Sequence, residues 1–269
     1  MTDPHQPQHQ VKSIYKTMKQ NFTTNAINLR TYNLSESDKI VLMYSQDKGL
    51  IRGVAKGGKK TTSKLGGRMD LLVANKLMLN KGRNLDTICQ AEALNTFYNL
   101  RNDMDKLMYA LYASEIVSNF GIEDDPNSEE IFSLFYSFLN QVSEVKNKTG
   151  ILLAVLRFQL KMMNIAGYSI ELDNCVKCFS ELNEDDTLYF SIKHGGVVCK
   201  ECLNGGEYKI HNKLRIFLKA LLETDFKEIT RYDELANEKV CLVGIRLLSE
   251  YIQFYSPKQF QTVKMLESV

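Results

Sequence analysis

No apolar run approaches the roughly 18–20 residues of a membrane helix, so no membrane span is expected. Residues 1–20 are polar and lack the apolar middle of a secretory signal, which leads to the expectation of a cytoplasmic protein. Histidine is scarce: there are four, and His5 and His9 sit in that polar start. No nucleophile elbow, His-Glu-x-x-His pair or paired-carboxylate motif is visible, so no enzyme is expected. The acidic stretch Glu123, Asp124, Asp125, Glu129 and Glu130 reads as the solvated start of a helix rather than a metal site. An excess of one charge is also missing. Lys and Arg total 34 against 32 Asp and Glu, a net +2, so any nucleic-acid surface must come from local clustering.

What is present changes texture along the chain. Residues 1–20 read as a loose tail. From Thr23 to Ala93 the pattern is short and strand-like. The runs are Ala26–Leu29, Ile40–Met43, Leu50–Ala55, Leu71–Leu79 and Leu85–Ala93, with glycine- and asparagine-rich breaks between the later ones. Five short strands in this span predict a small closed barrel of the OB type. After Asn95 the period becomes helical: Met104, Leu107, Met108, Leu111, Tyr112 and Ile116 share one face. Ile131–Leu139, Leu214–Leu222 and Leu235–Tyr255 predict further helices, and Ile151–Ile165, apolar nearly all round, predicts a central buried one. The expected class is α+β: tail 1–20, barrel 21–95, helical domain 96–174 and 207–269, and an inserted ribbon 175–206.

The ribbon carries four of the six cysteines, as Cys175-Val-Lys-Cys178 and Cys199-Lys-Glu-Cys202. In a reducing compartment this spacing reads as a four-thiolate structural zinc site, one ion per chain, rather than as disulfides. Each knuckle turns two thiolates toward one point, and the two knuckles close a tetrahedron with no open position for catalysis. Leu188–Ile192 and Val197-Val198 read as strands around the turn Gly195-Gly196, with His194 a turn residue rather than a ligand. Lys177 and Lys200 lie inside the knuckles, where their charge offsets the thiolates. Cys89 and Cys241 stand alone in apolar surroundings and are expected to be core thiols.

From Lys48 to Arg68 there are seven basic residues and no acidic one. Arg52, Lys56, Lys59, Lys60, Lys64 and Arg68, with Arg30 on the first strand, are the candidate phosphate contacts. The interspersed glycines allow close backbone approach. Gly53–Lys59 imitates the start of a P-loop, but position 60 is Lys where Ser or Thr is needed, and no amphipathic helix follows. Only Tyr32 and Tyr44 are aromatic between Thr23 and Ala93, so binding by the barrel should depend on phosphates rather than on base stacking. Arg157 and Lys161 on the central helix are candidates for an acidic, hydrophobic-ended peptide; the alternative is a buried helix whose cations reach outward.

With these residues laid out, the chain resembles the RecO family over nearly its whole length after Asn21. The matching pieces are Ser35-Glu-Ser-Asp-Lys-Ile-Val41, Lys48–Gly57, Leu156-Arg-Phe-Gln-Leu160 leading through Ala166-Gly-Tyr168 to Cys175–Cys178, and His194–Cys199. The resemblance implies an OB barrel, a helical domain and an inserted zinc ribbon. It implies binding of single- and double-stranded DNA, annealing of complementary strands, and loading of RecA, with RecR, onto DNA coated by single-stranded-DNA-binding protein. The acidic tail of that last protein is the implied peptide, and the nucleoid the implied setting. The four cysteines match the zinc-bearing branch, whereas the N-terminal extension departs from the family pattern. Two rival readings remain from the residues themselves: an OB-plus-ribbon RNA-binding protein, and a protein-binding scaffold whose basic loop is incidental.

Overall fold

The structure, a computed structural model, describes residues 21–60, 62–183, 187–223 and 237–262. The tail 1–20 and the start of the last predicted helix lie outside the described residues. Five strands come first: β1 (Asn21–Asn33), β2 (Lys39–Ser45), β3 (Gly49–Ala55), β4 (Ala74–Asn80) and β5 (Asp86–Asn95). They close in the order β1-β2-β3-β5-β4, antiparallel except for the short parallel pairing of β3 with β5. This is the closed Greek-key order of an OB barrel.

Alternation decides which residues fill the barrel. Ala26, Val41, Met43, Ile51, Ala55, Leu77, Leu79 and Ile88 point inward with Met69 and form a core of their own. Ile27, Leu29, Leu42 and Tyr44 point outward and join the core of the helical domain instead. Alternation carries Leu29 to the same face as Ile27, and a bulge in β1 between Asn28 and Arg30 then breaks the alternation, so that Arg30 too can reach helix α1.

Two expectations for the barrel are corrected. β4 begins at Ala74, not Leu71, because Leu72 takes a left-handed turn with φ of 61°. Leu72 then donates its amide to Asn28, and Val73 accepts the Asn28 amide. Cys89 is exposed rather than a core thiol. Ile88 points into the barrel, so its neighbour Cys89 faces outward on β5. Cys241 is fully buried, as expected.

The helices follow the apolar periods: α1 (Met104–Phe120), α2 (Ser128–Glu144), α3 (Lys148–Ile165), α4 (Asn212–Glu223) and α5 (Glu238–Tyr255). Asp103, Asn147 and Asn237 cap α1, α3 and α5, accepting the amides of Lys106, Gly150 and Val240 at 3.2, 2.7 and 3.0 Å. Every residue from Ile151 to Leu160 is buried, because α3 lies between α2 and α5. Phe158 packs its ring 4.7 Å from Phe138. Its polar neighbour Gln159 donates its side-chain amide to Tyr112 at 2.9 Å and to Ser249 at 3.0 Å inside the bundle. That network joins α1, α3 and α5.

The ribbon sheet has three strands in the order β7-β6-β8: β6 (Leu188–Ser191), β7 (Gly196–Cys199) and β8 (Tyr208–Ile210). Its third strand lies past residue 206, where the sequence offers no period long enough to read. Leu188, Phe190, Val197 and Val198 pack into the same core as the helices and the outer barrel face.

Candidate metal centre and nucleic-acid interface

The two knuckles meet. The Sγ atoms of Cys175, Cys178, Cys199 and Cys202 all lie within 4.8 Å of one another, with Cys178 and Cys199 3.8 Å apart. Corners of a tetrahedron about 2.3 Å from its centre are about 3.8 Å apart, so the cage fits an ion held by four thiolates. Backbone donors already favour charge on sulfur. Burial pushes the Cys175 thiol up, but the amides of Cys199, Cys178 and Lys177 outweigh it and hold the thiol below its ordinary value. Cys178 is held down to about 6, chiefly by the Ser180 hydroxyl at 3.0 Å. Cys202 is pushed up to about 12 by Cys178 and Cys199, and Cys199 is raised as well, first by burial. Four sulfurs this close resist sharing several negative charges unless a cation sits between them.

The surrounding residues fix the cage. Lys177 donates to the Cys202 carbonyl at 3.1 Å and pairs with Glu207 at 2.6 Å, so its charge ties one knuckle to the chain leaving the other. His194 lies in the β6–β7 turn, its Nδ1 2.9 Å from the Ser191 hydroxyl, outside the cysteine cluster.

The basic segment is a chain of tight turns rather than an open loop. Gly58, Lys60, Ser63, Gly66 and Met69 each donate an amide to the carbonyl three residues earlier. Gly57 supplies the left-handed φ of 66° that the first turn needs. Its amide donates to Asp38 at 2.8 Å, and Ser37 accepts the Lys59 amide at 3.0 Å. The Gly57 amide, followed by the Ser37 hydroxyl, holds the Asp38 carboxyl below its usual range. At the far end Met69 plugs the barrel core, and the buried Asn28 donates to the Arg68 and Asp70 carbonyls, both at 2.8 Å. Asn75 also donates to Arg68, at 2.8 Å. Both ends are therefore pinned to the barrel.

Arg52, Lys56, Lys60, Lys64 and Arg68 are exposed on this frame, and Lys59 is half-buried beside the Ser35 carbonyl, to which its ammonium donates. Lys39, Lys59, Lys60, Gly58 and Gly66 line a shallow hollow of about 370 Å³, where Asp70 pairs with Lys39 at 3.5 Å. Arg30 stands apart. Its guanidinium pairs with the buried Glu115 at 2.8 Å, so it spans the seam between barrel and α1. Arg157 does not fit the peptide role: it is fully buried within α3, neither offered to a ligand nor reaching outward. Lys161, one turn on, is half-buried.

Several seam residues had no signal in the sequence. Asp125 was expected in a solvated helix start; it is buried and accepts the Tyr44 hydroxyl at 2.9 Å. Burial, followed by that carboxylate, raises the Tyr44 phenol far above its ordinary value. Glu115 accepts from Arg30, from the amides of Gln261 and Thr262, and from the Thr262 hydroxyl at 2.6 Å. These partners are 81 to 147 residues apart in sequence, beyond any local pattern.

An OB barrel with a pinned basic edge, seated on a helical domain that carries a four-cysteine ribbon, makes an α+β architecture. The family models agree with both halves. Residues 18–97 match "Recombination protein O N terminal" and residues 101–263 match "Recombination protein O C terminal". The chain belongs to the RecO family of DNA repair proteins. It is 32% identical to the DNA repair protein RecO of Desulforamulus reducens over 91% of this chain and 94% of that one. It is likewise 32% identical to the RecO of Dehalococcoides mccartyi, over 80% of this chain and 83% of that one. Among the described residues no helix is long and apolar enough to cross a membrane.

Proposed function

We propose that this protein binds single- and double-stranded DNA by its phosphates, anneals complementary strands, and acts as a mediator without bond-making chemistry of its own. The observation that carries this is the set of exposed cations Arg52, Lys56, Lys60, Lys64 and Arg68 on a segment pinned at both ends. A rigid cationic edge holds backbones in register, lowers the repulsion between two strands, and leaves bases free to pair. Membership of the family supports the wider role: working with RecR to load RecA onto DNA covered by single-stranded-DNA-binding protein. The four thiolates are a closed ligand set, which suits a structural zinc ion bound by Cys175, Cys178, Cys199 and Cys202. When bound, that ion would fasten the two knuckles; it takes no part in a reaction.

The test is annealing of complementary oligonucleotides without nucleotide cofactor, over a salt series. Affinity for single strands should fall with a log–log slope of about −0.7 per phosphate contact. Replacing Lys59 and Lys60 by Ala should weaken all sequences alike and shallow the slope by about one to two contacts. A double variant that anneals as fast as the parent would place the grip elsewhere. Matched RNA strands in the same assay distinguish an RNA-binding protein from a DNA-binding one.

A further inference from the structure

A cleft of about 1290 Å³ runs between the ribbon and α5, well away from the basic turns. Its rim is aromatic and cationic. Phe254 on α5 is 56% exposed and Tyr208 on β8 is 45% exposed, and both line the opening. The Glu250 carboxylate lies near the Tyr208 phenol and raises it above its ordinary value. Phe254 sits edge-on to Tyr255, with ring centres 5.0 Å apart, and the Tyr255 hydroxyl donates to the Lys193 carbonyl at 2.9 Å. One ring and one cation are thereby fastened to the same anchor.

The charges of the cleft are unevenly committed. Lys177 is taken up by Glu207. Lys193 and Arg246 are exposed and pair with no carboxylate among the described residues. Exposed rings beside uncommitted cations are the combination that grips single-stranded nucleic acid: faces for bases, charge for phosphates. The barrel offers less: Tyr44 is buried, Phe22 is half-buried beneath the Lys48 ammonium, and Tyr32 is the exposed ring of β1 to β5.

We propose that this cleft takes unpaired bases of a single strand, with their faces against Phe254 and Tyr208 and the adjoining phosphates at Lys193 and Arg246. This rests on the DNA-binding reading above and adds a base-dependent grip to its phosphate-dependent one. The full chain is titrated with oligodeoxythymidine and with an abasic sugar–phosphate strand of equal length. The parent should prefer the base-bearing strand by about 5- to 20-fold, as one or two stacked bases provide. Phe254→Ala should reduce that preference to about twofold or less, and Phe254→Tyr should keep it. Phe254 is largely exposed, so an unchanged unfolding midpoint is expected for both variants. Lys59→Ala/Lys60→Ala should weaken both strands alike and leave the preference intact, which separates failure of the cleft from failure of the basic edge. A preference that survives Phe254→Ala overturns the proposal. So does a Phe254→Ala protein that loses only an acidic, hydrophobic-ended peptide, since the cleft is then a peptide groove. A parent that binds neither strand overturns this proposal together with the DNA-binding reading.

Discussion

Glu115 shows how much one carboxylate can join. It is almost fully buried, yet its pKa lies below its ordinary value. Burial alone would raise it; the Thr262 hydroxyl and amide, the Gln261 amide and Arg30 reverse that. A carboxylate lowered on folding adds stability above its unfolded pKa and loses it as pH falls through the folded value. The seam should therefore weaken below about pH 4.5, and Glu115→Gln should flatten that part of a pH–stability curve. At neutral pH the same variant should cost about 1.5–3 kcal/mol in urea unfolding, since several charge-assisted hydrogen bonds are weakened together. Arg30 separates structure from binding. Arg30→Ala should lower stability and leave the salt slope of DNA binding unchanged, whereas Lys60→Ala should do the reverse. A shallower slope for Arg30→Ala would return that residue to the DNA surface.

Among the elements, the β2–β3 hairpin fits closely against the segment that follows α1. Gly49, at φ of +66°, opens β3, and a Cβ there would stand 2.2 Å from the Ile122 carbonyl oxygen. Gly49→Ala should destabilise the protein by about 2 kcal/mol or more, combining left-handed strain with displaced backbone; urea unfolding checks this. The ribbon gives the complementary prediction. Cys199→Ser should release bound zinc, measured by metal analysis, and expose the ribbon face of the helical core to proteolysis. The barrel interior, with its separate core, should keep its strand signal in circular dichroism. Zinc-free protein with four intact thiols would defeat the zinc assignment. These elements differ in how far the sequence announces them. Strands, helices and cysteine knuckles are written in local spacing, because alternation, the helical repeat and ligand geometry all act within a few residues. The bulge beside Leu29, the left-handed Leu72, the outward Cys89 and the buried Arg157 are settled by which surface each strand or helix meets, and no local period carries that. The basic cluster was legible as composition. Its shape was not, since Asn28 and Asn75 hold it from positions that read only as polar residues in strands.

At the scale of the molecule, and among the described residues, one continuous core runs from the outer barrel face through the helices to the ribbon strands, while the barrel interior forms a second, smaller one. Unfolding followed by tyrosine signals from the helical core should therefore coincide with loss of the ribbon. Stripping the metal with a chelator should lower that midpoint by several degrees, more than it alters the barrel. Coincident midpoints with and without chelator would show that the ribbon contributes nothing to the shared core. The arrangement also has a consequence for synthesis. The barrel strands leave the ribosome before the helices and can close on their own interior, because all their partners lie within residues 21–95. Glu115, which joins the barrel to the first helix, must wait for partners 146 and 147 residues downstream. Until Gln261 and Thr262 emerge, a nascent chain has its barrel shaped and its joint with the helices held on that carboxylate by Arg30, so residues made much later finish a contact begun by β1.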